Sequence, residues 1–218
     1  MEKIDIRKYI DQTILKPEAI EQDIRDFLNE VSCNGFYCAV VNPCWVPMAV
    51  KLLPGTIKVC SVVGFPLGAS TMKAKVHAAQ DLVQMGCNEI DMVMNIGRFK
   101  GQDFKYVETE IRQVRSACAG RVLKVIIETC LLTDQEKVAV AKLIVASGAQ
   151  FVKTSTGFNR QGATVEDVRL LRSTVGPEFG VKASGGIRTA DQARAMIAAG
   201  ANRLGTSNGC VIVAQPGA

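Results

Sequence analysis

Histidine is almost missing from this 218-residue chain, where His77 is the sole imidazole. Metal sites assembled from several histidines are therefore excluded, and a Ser-His-Asp arrangement would have to run through that one residue. His77 falls in the middle of the helical pattern MKAKVHAAQDLVQMG, where a surface or rim position is expected. Aromatics are scarce, with eight Phe, three Tyr and one Trp, and no basic run interleaves with them. That argues against nucleic acid as a partner. No apolar stretch approaches the roughly 20 residues needed to cross a bilayer, so no membrane partner is expected. The opening MEKIDIRKYID carries charge every few positions instead of the apolar segment of a signal peptide, and a cytoplasmic location is expected. The eight cysteines lack C-x-x-C spacing. Cys60, Cys87 and Cys130 sit in or beside apolar runs, which reads as reduced thiols packed as small hydrophobes. A G-x-G-x-x-G turn after the first strand, the mark of a doubly wound dinucleotide-binding sheet, is absent as well.

What is present is an ordinary globular balance, 48% hydrophobic and 22% charged, with a formal charge of +5 that suits a small anionic substrate. Short apolar runs alternate with longer amphipathic segments from end to end. The strand-like runs lie at 10–15, 36–41, 58–64, 89–95, 123–129, 151–156, 180–186 and 203–208. Helical patterns such as EAIEQDIRDFLNEVSCNG, DFKYVETEIRQVRSACAG and TDQEKVAVAKLIVASGA fall between them, and TVEDVRLLRSTVG and TADQARAMIAAGA follow. Several open on a Thr or Asp cap with an acid or Gln three residues on, and several end in Gly. Eight strand–helix units at roughly 27 residues each predict a single (β/α)8 TIM barrel over residues 1–218, with a short last helix and a frayed tail at 215–218.

Such barrels place their chemistry at the C-terminal ends of the strands, so polar residues within strands are informative. Asp91 in EIDMVMN, Lys153 in FVKTSTG and Lys182 in GVKASGG stand out. If Val152 and Val181 face the helices, alternation turns both lysines into the barrel. An isolated strand-end lysine more often only snorkels to water. Two in the same phase on adjacent strands, with an inward acid two strands away, point elsewhere. An amine must be neutral to attack a carbonyl, and its ordinary pKa is about 10.4. A second ammonium about 5 Å away, at an effective dielectric of about 20, disfavours protonation by roughly 3 kcal/mol, or about two pKa units. Burial adds to this, so one lysine can make the other nucleophilic. A second constellation is rich in glycine: Thr154-Ser155-Thr156-Gly157, Ser184-Gly185-Gly186 and Gly205-Thr206-Ser207-Asn208. Loops of this kind after the last strands can hold phosphate on free backbone N–H groups.

FVKTSTGF, VKASGGIR, EIDMVMNIG and DQTILKPEA together resemble the deoxyribose-phosphate aldolase family over nearly the whole chain. The resemblance implies reversible cleavage of 2-deoxyribose 5-phosphate to acetaldehyde and glyceraldehyde 3-phosphate through a lysine Schiff base, with no metal and no other cofactor. It implies that Lys153 forms the imine, that Lys182 lowers the pKa of Lys153, and that Asp91 shuttles protons with help from Lys124. Asp11 and Thr13 would line the sugar-binding side. Thr156, Gly157, Gly185, Gly186, Gly205, Ser207 and Asn208 would complete the substrate site and cradle the phosphate. Small phosphorylated sugars and aldehydes are the partners this implies, together with self-association as a dimer or tetramer. The chain departs from the family pattern at Phe158, where some members have a phosphate-gripping lysine. It also departs at Gln12, where many have His, and at Val40, where Cys is frequent. No tyrosine follows Tyr106, so a tyrosine-bearing tail reaching the site is not expected. Rival readings are another Schiff-base aldolase, such as a transaldolase or a keto-acid aldolase using Arg188 for a carboxylate, and a barrel that only binds or isomerises a phosphorylated ligand.

Overall fold

Alternation along each strand decides which side chains enter the barrel and which meet the helices. In the computed structural model, which describes residues 4–215, the strands are β1 (Ile10–Ile14), β2 (Cys38–Val41), β3 (Lys58–Val63) and β4 (Glu89–Val93), followed by β5 (Val122–Ile126), β6 (Phe151–Lys153), β7 (Gly180–Ser184) and β8 (Arg203–Thr206). All are parallel and pair in chain order, with β8 returning to β1 to close the barrel. Residues 1–3 of the charged N-terminal segment and 216–218 of the tail lie outside the described residues.

Helices α1 (Glu21–Asn34), α2 (Val46–Leu52), α3 (Met72–Gln84), α4 (Ile96–Lys100), α5 (Phe104–Ala117), α6 (Asp134–Ala146), α7 (Val165–Val175), α8 (Ala190–Ala198) and α9 (Gly209–Val213) cover the outside. The cap signals act as their sequence indicates. Thr133 with Glu136, and Thr189 with Gln192, form reciprocal capping boxes at α6 and α8, and Gly35 ends α1 in the left-handed conformation. The short α2 and α4 carry too little periodicity to have been expected. His77 lies exposed on α3.

Outward residues such as Ile10, Val41, Val59, Ile90, Val125, Val152, Val181 and Leu204 pack under the helices in one large apolar cluster. The interior is divided. Leu15, Cys38, Val40, Cys60 and Val62 form a small apolar patch on the β1–β3 side, whereas β4, β5, β7 and β8 turn charged residues inward. The expected strand at 151–156 ends at Lys153. Beyond it, the Thr154 hydroxyl exchanges hydrogen bonds with the Ser184 backbone, accepting from its N–H at 3.1 Å and donating to its carbonyl at 3.3 Å. The chain thereby leaves the ladder and turns over the rim.

One ion pair holds the outer layer to the end of β4. Lys75 of α3 and Glu110 of α5 meet at 2.7 Å, both fully buried. Lys75 also donates to the Val93 carbonyl at 2.8 Å, and Glu110 accepts from the Asn95 N–H at 2.9 Å. Removing one partner strands the other charge in the core, which costs about 3–5 kcal/mol. Urea unfolding of Lys75→Met is expected to show a loss of that size. Adding Glu110→Leu to that variant should recover part of the loss; a double variant no more stable than the single would contradict the ion-pair account.

Candidate active site

Parallel register brings the interior charges together. Lys153 lies directly opposite Lys182 across β6–β7, and Asp91 lies opposite Lys124 across β4–β5. Asp91 is the meeting point. Its Oδ2 accepts from Lys153 Nζ at 2.7 Å and from Lys182 Nζ at 2.8 Å, and its Oδ1 accepts from Lys124 Nζ at 2.9 Å. The Cys60 thiol donates to the same Oδ1 at 3.3 Å. The structure thus brings the four residues expected to be catalytic into one cluster.

Their surroundings differ from one lysine to the next. Burial disfavours a charge on Lys182, but Asp11, with Oδ2 at 2.5 Å, and Asp91 outweigh it and hold the amine above the ordinary lysine range. Lys124 is held protonated well above that range in the same way, burial being overcome by Asp91, Glu89 and Asp11. Asp91 stays ionised well below the usual carboxylate value, since its lysines outweigh the cost of burial. Of the three lysines around Asp91, Lys153 alone moves down from the ordinary 10.5. Burial is the largest cause, Asp91 works against it, and the Lys182 charge adds to the lowering. The sequence argument gave the neighbouring ammonium the leading part; the structure gives it to desolvation, because Lys153 is only 4% exposed.

That small exposure is enough. A cavity of about 680 Å³ opens at the C-terminal rim, and Lys153 lies on its wall while Asp91, Lys124 and Lys182 lie beneath it. Thr13, Thr156, Gly157, Gly185, Gly186, Gly205, Ser207 and Asn208 line the same cavity. Asp11 is the correction: expected on the sugar-binding side, it is fully buried below the cavity, with both carboxylate oxygens occupied by Lys182 and Arg203. An inward position near the start of a strand leads into the barrel floor instead of the mouth. Thr13, two residues further along β1, does reach the wall, its hydroxyl bonded to the Asp11 carbonyl at 2.9 Å.

The glycine loops converge at one edge of the cavity. Gly157, Gly185 and Gly186 take positive φ of 83°, 84° and 80°. Among the described residues no backbone carbonyl accepts from their N–H groups, which leaves donors available to a ligand anion. Gly205 has a different reason to lack a side chain. A Cβ there would lie 2.7 Å from Ser184 Cβ and 3.2 Å from Lys182 Cε, so its absence gives Lys182 its path across to Asp11.

Several participants escaped the sequence reading. Glu89 meets Lys124 at 2.6 Å, and Arg203 spans Asp11 at 2.6 Å and Glu89 at 2.9 Å. Both could have been found by parity, since Glu89 is two residues before Asp91 and Arg203 two before Gly205. Glu128, left-handed at φ 55°, is buried and accepts from the Thr156 hydroxyl at 2.5 Å, fixing that residue at the wall. Gln12 points outward, not toward Asp11. It donates to Glu30 at 2.6 Å and accepts from the Gly209 N–H at 2.9 Å, tying the β8–α9 turn to β1. Phe158 stands exposed on the wall, edge-on to Phe65 at 5.2 Å, and Val40 lies in the interior apolar patch. Arg188 is on the wall but solvent-exposed before α8. Arg98 stacks on Tyr106 of α5. All eight cysteines are free thiols. Among the described residues no helix is long and apolar enough to cross a membrane.

Residues 6–213 match the model of the DeoC/LacD family of aldolases. A deoxyribose-phosphate aldolase of Enterococcus faecalis is 50% identical over 212 residues, 96% of either chain, and one of Thermoanaerobacter pseudethanolicus is 51% identical over 216 residues, 97% of either chain. Among solved structures, an aldolase designated QR15 superposes with a TM-score of 0.94 at 41% identity, covering 97% of this chain and 95% of that one. The deoxyribose phosphate aldolase of Aeropyrum pernix, described as a unique tetramer, gives 0.87 at 36% identity over 96% and 90%.

An amine with a lowered pKa reacts over a pH range in which ordinary lysines are protonated. Competitive labelling with a limiting amine reagent, read peptide by peptide by mass spectrometry, is expected to place the acid limb of Lys153 below 10.5 and to leave Lys182 unlabelled in the folded protein. Labelling of Lys153 that follows the surface lysines would contradict this assignment.

Proposed function

The chain belongs to the DeoC/LacD family of aldolases, and we propose that its cavity takes 2-deoxyribose 5-phosphate with Lys153 as the imine-forming residue. The protein is a lyase that reversibly cleaves this sugar phosphate to acetaldehyde and glyceraldehyde 3-phosphate. The observation that carries the assignment of roles is that, of the three lysines around Asp91, only Lys153 reaches the cavity.

Neutral Lys153 attacks the C1 aldehyde of the open-chain sugar to give a carbinolamine. Loss of water yields an iminium. Asp91, 2.7 Å from Lys153 Nζ, takes the proton from the attacking nitrogen and returns one to the departing hydroxyl. The iminium then accepts the electron pair of the C2–C3 bond as the C3 hydroxyl loses its proton, releasing glyceraldehyde 3-phosphate and leaving an enamine. Protonation at C2 and hydrolysis free acetaldehyde and restore the amine. Lys182 and Lys124 stay charged throughout and hold Asp91 ionised, so that it passes each proton on instead of keeping it.

The phosphate sits on the Gly157, Gly185 and Gly186 loops with Ser207 and Asn208, and Thr13, Thr156 and Gly205 face the sugar. Asp11 acts from below, through Lys182. Residues 1–218 act as one catalytic domain. Self-association is part of the reading, supported by the tetrameric relative from Aeropyrum pernix. A cytoplasmic location suits the phosphorylated substrate and the unpaired thiols.

Borohydride reduction in the presence of acetaldehyde is expected to leave an adduct on the Lys153 peptide, and intact protein without that adduct would sink the reading. Lys153→Ala should abolish turnover. Lys182→Leu should lower it about 100-fold at neutral pH, the effect of roughly two pKa units on the amine. Near-normal turnover in that variant would refute the electrostatic role of Lys182.

A further inference from the structure

Six interior charges form a closed circuit. Arg203 Nη1 meets Asp11 Oδ1 at 2.6 Å, Asp11 Oδ2 meets Lys182 at 2.5 Å, and Lys182 meets Asp91 Oδ2 at 2.8 Å. Asp91 Oδ1 meets Lys124 at 2.9 Å, Lys124 meets Glu89 Oε2 at 2.6 Å, and Glu89 Oε1 returns to Arg203 Nη2 at 2.9 Å. Signs alternate all the way round. Each carboxylate gives one oxygen to each of its two neighbours, so the ring holds three positive and three negative charges and is neutral. Lys153 is the seventh group, bound to the ring only through Asp91 Oδ2 and turned to the cavity. Arg203 is the residue farthest from the chemistry in this circuit, and it closes the two arms that reach the lysines flanking Asp91, which otherwise meet only at 4.0 Å between Lys124 Nζ and Asp11 Oδ2. The Tyr37 ring lies 3.3 Å from its guanidinium carbon and covers it from below.

We propose that Arg203 and Glu89 are positioning residues for the aldol reaction, closing a neutral six-charge ring that leaves Lys153 as the barrel's single unmatched amine. The inference rests on the aldolase reading above and adds to it the part played by the barrel floor. A protonated Lys153 would be a fourth cation against three carboxylates at a position only 4% exposed, where solvent screens it little. A neutral Lys153 leaves the count even. The groups facing Lys153 from the other strands are Asp11 on β1, the thiols of Cys38 on β2 and Cys60 on β3, Glu89 and Asp91 on β4, Lys124 on β5, Lys182 on β7 and Arg203 on β8. Burial raises the Cys38 thiol well above its ordinary value, so it adds no charge to the balance. Removing Arg203 makes the ring net negative and favours the Lys153 proton; neutralising Glu89 makes it net positive and disfavours it.

The test is the pH dependence of acetaldehyde trapping by borohydride at Lys153, measured in the wild-type protein, Arg203→Met, Glu89→Gln and the double variant. Removing one charge roughly 10 Å from the amine, at an effective dielectric of about 20, moves the acid limb by about one pH unit, a tenfold rate change on the limb. The limb is expected to rise in Arg203→Met, fall in Glu89→Gln and return to the wild-type position in the double variant. A merely structural role would slow both single variants without moving their limbs in opposite directions, and that result overturns the inference. If Arg203→Met does not fold, Glu89→Gln decides alone: a limb that stays or rises overturns the proposal. No adduct in the wild-type protein would overturn the aldolase reading itself, whereas an adduct with coincident limbs would overturn only the ring.

Discussion

A carboxylate with no exposed surface cannot remain ionised unless cations replace the water it has lost, and Asp91 is such a carboxylate. The desolvation cost is several kcal/mol per ion, and a single partner would leave lone pairs unmet. Three lysines on three different strands converge on its two oxygens instead. Each of those lysines is also buried, so the same demand passes outward: Lys182 needs Asp11, Lys124 needs Glu89, and the two acids then need Arg203. The arrangement ends only when it closes on itself. Shape follows from this chain of requirements. Gly205 lacks a side chain where Lys182 must cross to Asp11, and Gly180 lacks one where the Phe151 ring fills the floor, since a Cβ there would lie 2.3 Å from a ring carbon.

The polar half of the interior has an apolar counterpart. Val40, Val62, Cys38 and Cys60 occupy the side made by β2 and β3, which contributes no charge to the ring. A low-dielectric wall beside the charges strengthens every interaction among them and raises the cost of an unmatched proton. The rim has the opposite character. There the loops after β6 and β7 expose backbone donors on left-handed glycines, which gives an anion hydrogen bonds without placing another fixed cation beside the amine. The buried charges are kept in the floor, and free backbone donors stand at the glycine edge of the mouth.

Most of this architecture was legible because period is a local property. Each expected strand overlaps an observed one, and the capping boxes at Thr133 and Thr189 lie where Thr-x-x-Glu and Thr-x-x-Gln place them. Parity also gave the inward phase of Lys153 and Lys182. What parity cannot give is depth. Asp11 and Thr13 share a face of β1, yet one lies in the floor and the other on the cavity wall, because strand tilt and stagger set the height of each residue. The partners of Glu89 and Arg203 were hidden for a related reason. Contacts between residues 114 positions apart depend on barrel closure, and nothing local to either segment records it. Gln12, noted only as a departure from the family pattern, is turned to the helices by alternation, where Glu30 and Gly209 receive it.

Two inward lysines on adjacent strands pose a question that sequence symmetry leaves open, namely which one attacks. The motifs VKTSTG and VKASGG are near copies, and both lysines touch the same oxygen of Asp91. The asymmetry lies in the second carboxylate. Lys182 has one in Asp11; Lys153 has none. An ammonium held between two carboxylates keeps its proton, and it is sealed from any carbonyl that could use its lone pair. An ammonium with one shared carboxylate, a cationic neighbour and an opening to the cavity loses its proton more readily and has somewhere to direct the lone pair. In the proposed mechanism, nucleophile and fixed cation are therefore made from the same side chain by the placement of Asp11, a residue buried below the cavity. The difference between the two lysines is written on β1, three strands round the barrel from the β6 strand that carries Lys153.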